Sequence, residues 1–121
     1  WPQLDAAVRG ALQEGLQRLC GGGSVSCRFT HVYPDGPAPY YTFEGLGARG
    51  AEIEICDELK KAASDAMMNA GGTITHHHAV GRVHRPWYDR EIPGLFADAL
   101  RSAKKSLDPN GVMNPGVLID P

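Results

Sequence analysis

The 121 residues carry twelve Lys and Arg against fourteen Asp and Glu, a formal net charge of −2, and 42% of them are hydrophobic. That balance supplies no basic field for a polyanion, and no apolar run approaches the roughly 20 residues a bilayer span requires, so nucleic-acid binding and membrane spanning both lose support. The composition suits a folded domain and not a disordered chain, and the length allows a single domain, 1–121, with its own core.

Cys20, Cys27 and Cys56 are odd in number and contain no Cys-x-x-Cys pair. They read as reduced packing residues in a cytoplasmic setting, not as a disulfide framework. No secretory signal is expected ahead of the first helix.

From the N-terminus, Leu4, Val8, Leu12 and Leu16 recur every four residues, which predicts an amphipathic helix over Leu4 to Leu19. Gly21, Gly22 and Gly23 end it, since successive glycines cost too much backbone entropy to continue a helix. A phosphate cradle is the sharper reading of these glycines, but no helix begins after them to aim its amides at an anion. Ser24 to Tyr33 reads as a strand with Val25, Cys27, Phe29 and His31 on one face, so His31 is expected beside apolar side chains. Pro34-Asp35-Gly36-Pro37 is a turn, and Tyr40 to Glu44 completes a hairpin. A tyrosine such as Tyr40 is more commonly an amphipathic core residue than an acid or base.

Gly45-Leu46-Gly47-Ala48-Arg49-Gly50 satisfies Gly-x-Gly-x-x-Gly between a strand and a helix, the context of a dinucleotide-binding turn. The preceding Tyr-Tyr-Thr-Phe-Glu is not the buried apolar strand such a unit needs, so an ordinary connecting loop is the better reading. Ala51 to Ala70 follows as a helix, with Ile55, Leu59, Ala63 and Met67 on its inner stripe. The acidic residues of its first half match the helix dipole and need no catalytic role.

The densest chemistry lies in Gly71 to Arg85, which holds four of the five histidines. Thr73, Ile74 and Thr75 are β-branched and predict a short third strand, whose period of two sends His76 and His78 to one face and His77 to the other. Imidazole moves protons near neutral pH and arginine grips anions in a planar fork, so Arg82 and Arg85 are weak candidates for holding a substrate phosphate. The bland alternatives are a solvated strand for the histidines and structural salt bridges for the arginines. Only two of the histidines converge, fewer than a zinc site wants, and no metal is assigned. Pro86-Trp87-Tyr88-Asp89 is expected to turn the chain, with Trp87 packing. A last helix from Pro93 to about Leu107 should face Leu95, Phe96, Ala99, Leu100, Ala103 and Leu107 inward. Asp108-Pro109 ends it, and Asn114-Pro115-Gly116 is a turn.

Gly-Gly-Thr-Ile-Thr-His-His-His-Ala-Val-Gly-Arg, followed by Leu-Asp-Pro-Asn-Gly-Val-Met-Asn-Pro-Gly at 107–116, resembles the C-terminal part of the alkyldihydroxyacetonephosphate synthases. These belong to the flavin-dependent oxidase superfamily of vanillyl-alcohol oxidase. The resemblance runs from about Ser24 to the end. Hydroxyacid dehydrogenases of the superfamily share the Asp-Pro-Asn and Asn-Pro-Gly ending but typically carry Gly-Glu-His at the position of His76, His77 and His78. The resemblance implies that Tyr40 assists proton transfer and that all three histidines line the active site. It also implies FAD, bound mainly by a domain absent from this chain, and a reaction in which acyl-dihydroxyacetone phosphate exchanges its acyl group for a long-chain alcohol in ether lipid synthesis. Tyr41 and Thr42 stand where the family strand is richer in aromatics.

The expected order is helix, strand, strand, helix, strand, helix. It makes an α+β fold, an antiparallel sheet covered by helices, ferredoxin-like but apparently lacking one strand. Such a chain looks like the cap or substrate-domain fragment of a larger flavoenzyme, itself colourless and inactive, with unpaired sheet edges that favour homo-oligomers. Two other readings remain at this point. One is an FAD-linked oxidase or dehydrogenase of a hydroxy acid or alcohol; the other, for the isolated fragment, is a non-catalytic interaction module.

Overall fold

A computed structural model describes residues 1–75 and 78–120. The fold is α+β, with helices α1 (Pro2–Cys20), α2 (Glu52–Asn69), α3 (Arg85–Glu91) and α4 (Gly94–Leu107), and with strands β1 (Ser24–Tyr33) and β2 (Gly36–Glu44) in one antiparallel sheet. The chain divides into two compact units, residues 1–72 and 73–121.

The first unit has an apolar core. Val8, Leu12 and Leu16 of α1 are buried with Leu59 of α2, and Val25, Tyr41, Phe43, Ile55 and Met67 pack around them. The four-residue spacing in α1 creates this stripe, and each fully buried aliphatic side chain contributes about 1.5–3 kcal/mol of transfer free energy. Gly21 terminates α1 in the left-handed conformation at φ 72°, where the N–H groups of Gly21 and Gly22 close back onto the carbonyls of Gln17 and Leu16. A side chain with a Cβ would be strained there.

The hairpin begins earlier on its second strand than the sequence suggests. β2 starts at Gly36, and Tyr33 pairs with Gly36 across the two-residue turn Pro34–Asp35. Pro37 and Pro39 are tolerated because, among the described residues, β2 has β1 as its only neighbour, so its other side has no ladder to interrupt. The register slips by one between Phe29, opposite Pro39, and His31, opposite Ala38. Thr30 is the extra residue, and its hydroxyl donates to the carbonyl of Ala38 at 3.3 Å.

In the second unit the expected third strand does not form over the described part of its range. Thr73–Thr75 are loop, and His78 lies in a turn. The N–H of Ile74 points to the Glu91 carboxylate of α3 at 3.4 Å, where a strand would have given it to a ladder. β-branched residues favour a strand only where a neighbouring edge accepts them. His76 and His77, and with them the predicted alternation of the histidine faces, lie outside the described residues.

Two further expectations fail in this unit. Pro86-Trp87-Tyr88-Asp89 is not a turn but the body of α3, in which Pro86 occupies the first helical turn and Trp87 is buried. Proline's fixed φ and missing N–H suit that place. In α4 the inward side is Ala97, with Leu100 and Lys104 half-buried, whereas Leu95 (88% exposed), Phe96, Ala99, Ala103 and Leu107 (83%) face out. A polar lock sets this rotation. Lys104 Nζ donates to Asp108 at 2.6 Å and to the carbonyl of Met113 at 2.8 Å, while Asp108 accepts the N–H groups of Val112 and Met113 at 3.0 Å each.

Candidate functional site

The bottom of the hairpin sits against α1, which splits its two faces. Val25 and Cys27 on β1, with Phe43 and Tyr41 opposite them, turn toward the helix and are half-buried. Tyr41 donates its hydroxyl to Asp5 at 3.0 Å, and both carboxylate oxygens of Asp5 accept from Arg9 Nε at 2.9 Å. Arg9 also reaches the carbonyl of Val25 at 3.1 Å, tying the first turns of α1 to β1. Burial, and then the hydrogen bond to Asp5, hold the Tyr41 hydroxyl well above the ordinary phenol range. Burial and the charge of Asp5 likewise raise the Cys27 thiol. Both groups keep their protons at neutral pH, so this network is a staple and not a source of reactive anions.

Tyr40 lies on the opposite face. It is directly across from Arg28, whose guanidinium carbon stands 5.0 Å from the ring centroid, and both residues are exposed. This places the sequence-predicted proton-transfer residue on an accessible surface. His31, expected beside apolar side chains, is exposed instead and stacks on Tyr33 at 5.8 Å with an interplanar angle of 7°. The bulge at Thr30 accounts for the change, because one extra residue inverts the alternation beyond it.

The other predicted residues belong to the second unit, so the structure describes them separately from Tyr40. His78 is exposed in the turn before Ala79, a non-glycine residue at φ 60°. His76 and His77 lie outside the described residues. Arg82 donates to the carbonyl of Pro115 at 2.7 Å. Arg85 is held by Asp89 and by Asp120, each at 2.8 Å, and these hydrogen bonds raise its pKa still further above the usual guanidinium value. Both arginines therefore make contacts that order the C-terminal segment.

Neither glycine run forms an anion cradle. The amides of Gly21 and Gly22 are used in capping α1. In the Gly-x-Gly-x-x-Gly loop a Cβ on Gly45 would fall 2.7 Å from Leu16, and one on Gly47 would fall 2.6 Å from Ile55, so these glycines permit close packing. At the start of α2 the N–H of Gly50 donates to the Glu52 carboxylate at 2.8 Å, which puts a negative charge where a pyrophosphate would need to sit. Neither glycine run thus fits the phosphates of FAD. Beside this loop, Leu16, Cys20, Phe43, Ile55 and Leu59 line an open apolar cleft of about 300 Å³. All three cysteines are free and half-buried.

Sequence reasoning passed over Arg28, the Asp5–Arg9–Tyr41 staple and the Lys104–Asp108 lock. The two acid–base pairs had a legible signal, since Asp5/Arg9 and Lys104/Asp108 are each four apart, and Arg28, before the bulge, keeps the face that plain alternation gives it; only its pairing with Tyr40 needed the register.

Among the described residues, the helix–hairpin–helix unit carries a tyrosine–arginine surface and neither of its glycine runs forms a phosphate cradle. The chain belongs to the family of FAD linked oxidases, C-terminal domain, whose model matches residues 1–118. It is 37% identical to an alkyldihydroxyacetonephosphate synthase of Trypanosoma brucei brucei over 93% of this chain and 18% of that protein. With the alkyldihydroxyacetonephosphate synthase of Caenorhabditis elegans the identity is 35%, over 79% of this chain and 16% of the relative. A glycolate oxidase subunit of Bacillus subtilis is 29% identical over 54% of this chain and 14% of its own length. The chain therefore spans less than a fifth of the length of these relatives.

Proposed function

We propose that these residues act as the C-terminal part of a larger FAD-dependent alkylglycerone-phosphate synthase, in which the acyl group of acyl-dihydroxyacetone phosphate is exchanged for a long-chain alcohol. The observation that carries this reading is the extent of the likeness: 93% of the chain aligns with a synthase, against 54% with a glycolate oxidase subunit. The triple histidine at 76–78 supports the same side. FAD, when bound, supplies the electrophilic centre that holds the headgroup, and it is held outside the described residues. The exposed apolar stripe of α4 also fits a chain whose surface is covered by further polypeptide.

In this role Tyr40 presents its hydroxyl from an ordered strand, where it serves proton transfer at the substrate, and the histidines complete the site. The test is an assay of the full-length parent protein with acyl-dihydroxyacetone phosphate and hexadecanol. Release of fatty acid with formation of the ether and no net flavin reduction is the expected result. Bleaching of the flavin by glycolate or lactate, without ether formation, would instead establish the oxidase reading.

A further inference from the structure

We infer that the outer face of the β1–β2 hairpin is an organic-phosphate platform, with Arg28 as the residue that grips the anion beside Tyr40, and with His31 and Tyr33 farther along the same face. The register puts these four side chains on one face. Arg28 stands opposite Tyr40, His31 opposite Ala38 and Tyr33 opposite Gly36. Tyr40, Ala38 and Gly36 alternate along one face of β2, so their partners share that face as well. Without the extra residue at Thr30, His31 and Tyr33 would point to the side of Val25 and Cys27. A bulge that re-aims side chains is a recurrent device next to binding sites.

Three observations make Arg28 the anion-holding group. It makes no ion pair among the described residues, whereas Arg82 is taken by the Pro115 carbonyl and Arg85 by two carboxylates. Its guanidinium carbon stands over the Tyr40 ring, 5.0 Å from the centroid, a contact that orients the guanidinium and uses none of its N–H donors. The nearest carboxylate on the same face is Glu44, four residues beyond Tyr40 and so about 13 Å away along the strand. The phenol of Tyr40, directly opposite the guanidinium, adds a donor for a further phosphate oxygen. The choice of phosphate over carboxylate rests on the synthase reading given above; the location at Arg28 does not.

The test is a titration of the 121-residue chain with glycerol 3-phosphate, followed by NMR at the Arg28 Nε–H and the rings of Tyr40 and His31, with glycolate and uncharged glycerol as parallel probes. Saturable shifts at these positions with glycerol 3-phosphate, weakened at least roughly tenfold in Arg28→Gln and partly restored in Arg28→Lys, are expected. Arg18→Gln, on α1, should leave them unchanged. Shifts centred on Arg82 or Arg85, equal weakening by Arg18→Gln, or saturation by glycolate but not by glycerol 3-phosphate would overturn the proposal. The two readings fail separately: a parent enzyme that bleaches its flavin with a hydroxy acid sinks the synthase assignment, while one that forms the ether with unchanged kcat/KM in Arg28→Gln sinks the platform.

Discussion

The two units of this chain are held together by different physics. Residues 1–72 surround one apolar cluster from α1 and α2, with the hairpin stapled beneath it. In residues 73–120 the buried apolar residues are few and scattered, namely Val80, Trp87, Ala97 and Ile119, and charged side chains fix the course of the chain. Asp108 is buried there beside Lys104, and Arg85 joins α3 to Asp120 near the end. Apolar burial is non-directional and tolerant, whereas a buried carboxylate demands particular partners in particular places. The first unit should therefore answer to volume, and the second to charge.

The largest test of this contrast is Leu12→Ala. Leu12 is fully buried in the first unit, and removing three carbons there leaves a cavity as well as losing transfer free energy. A loss of about 2–5 kcal/mol is expected, read as a lowered denaturant midpoint by a probe within residues 1–72. A loss below about 1 kcal/mol would show that the cluster collapses freely and is not the unit's core.

In the second unit the corresponding lesion is electrostatic. Lys104, then the N–H groups of Met113 and Val112, hold the Asp108 carboxyl below its ordinary range. Because its folded pKa is depressed, its contribution is complete above the unfolded value of about 3.9 and is lost as pH falls through the lower folded value. The Val112 and Met113 amides should thus keep their hydrogen-exchange protection down to about pH 4 and lose it in more acid solution. Asp108→Ala should remove it at neutral pH. Protection that persists in the variant would mean that the loop is held by other contacts.

The same contrast explains what the sequence made legible. Periodicity located α1 and α2 to within a residue or two, because Leu12, Leu16 and Leu59 are buried where an apolar stripe predicts. In α4 the stripe was equally clear, yet Lys104 is drawn inward to Asp108 and the apolar side faces out. Pattern reading assumes that burial decides rotation, and here an ion pair decides it. The third strand failed for a related reason: β-branching in Thr73–Thr75 states a preference, but a strand also needs an edge to join. Of the candidate site, Tyr40 was named through family likeness and its face is fixed by register; Arg28 shares that face by plain alternation, and only His31 was turned onto it by a one-residue bulge that no residue pattern announces.

A smaller effect separates the adjacent tyrosines within the first unit. Tyr41→Phe removes the donor to Asp5 and should cost about 0.5–1.5 kcal/mol, with no change at the outer face. Tyr40→Phe should leave the melting temperature within about 1 °C, since the residue is exposed, and in the full-length parent it should lower turnover. Exchange of these two outcomes would move the functional tyrosine to position 41 and put the site on the helix-facing side of the hairpin.

The smallest expected effect comes from placing similar ion pairs in the two settings. Arg18 of α1 reaches Glu58 of α2 at 2.6 Å, a shorter contact than Arg85 makes to Asp120 at 2.8 Å, so distance alone would rank it higher. Exposure reverses the order. The Arg18 and Glu58 side chains are 60% and 49% exposed, and water competes for both; Asp120 is itself 67% exposed, but the Arg85 side chain it meets is only 15% exposed and is also held by Asp89. Glu58→Gln should therefore change stability by less than about 0.5 kcal/mol, and added salt should shrink even that. Asp120→Asn should have the larger local effect, seen as faster amide exchange at Ile119, because it frees a tail that no apolar stripe secures. If Glu58→Gln proved the more damaging of the two, the first unit would depend on charge as much as the second, and the distinction between them would fail.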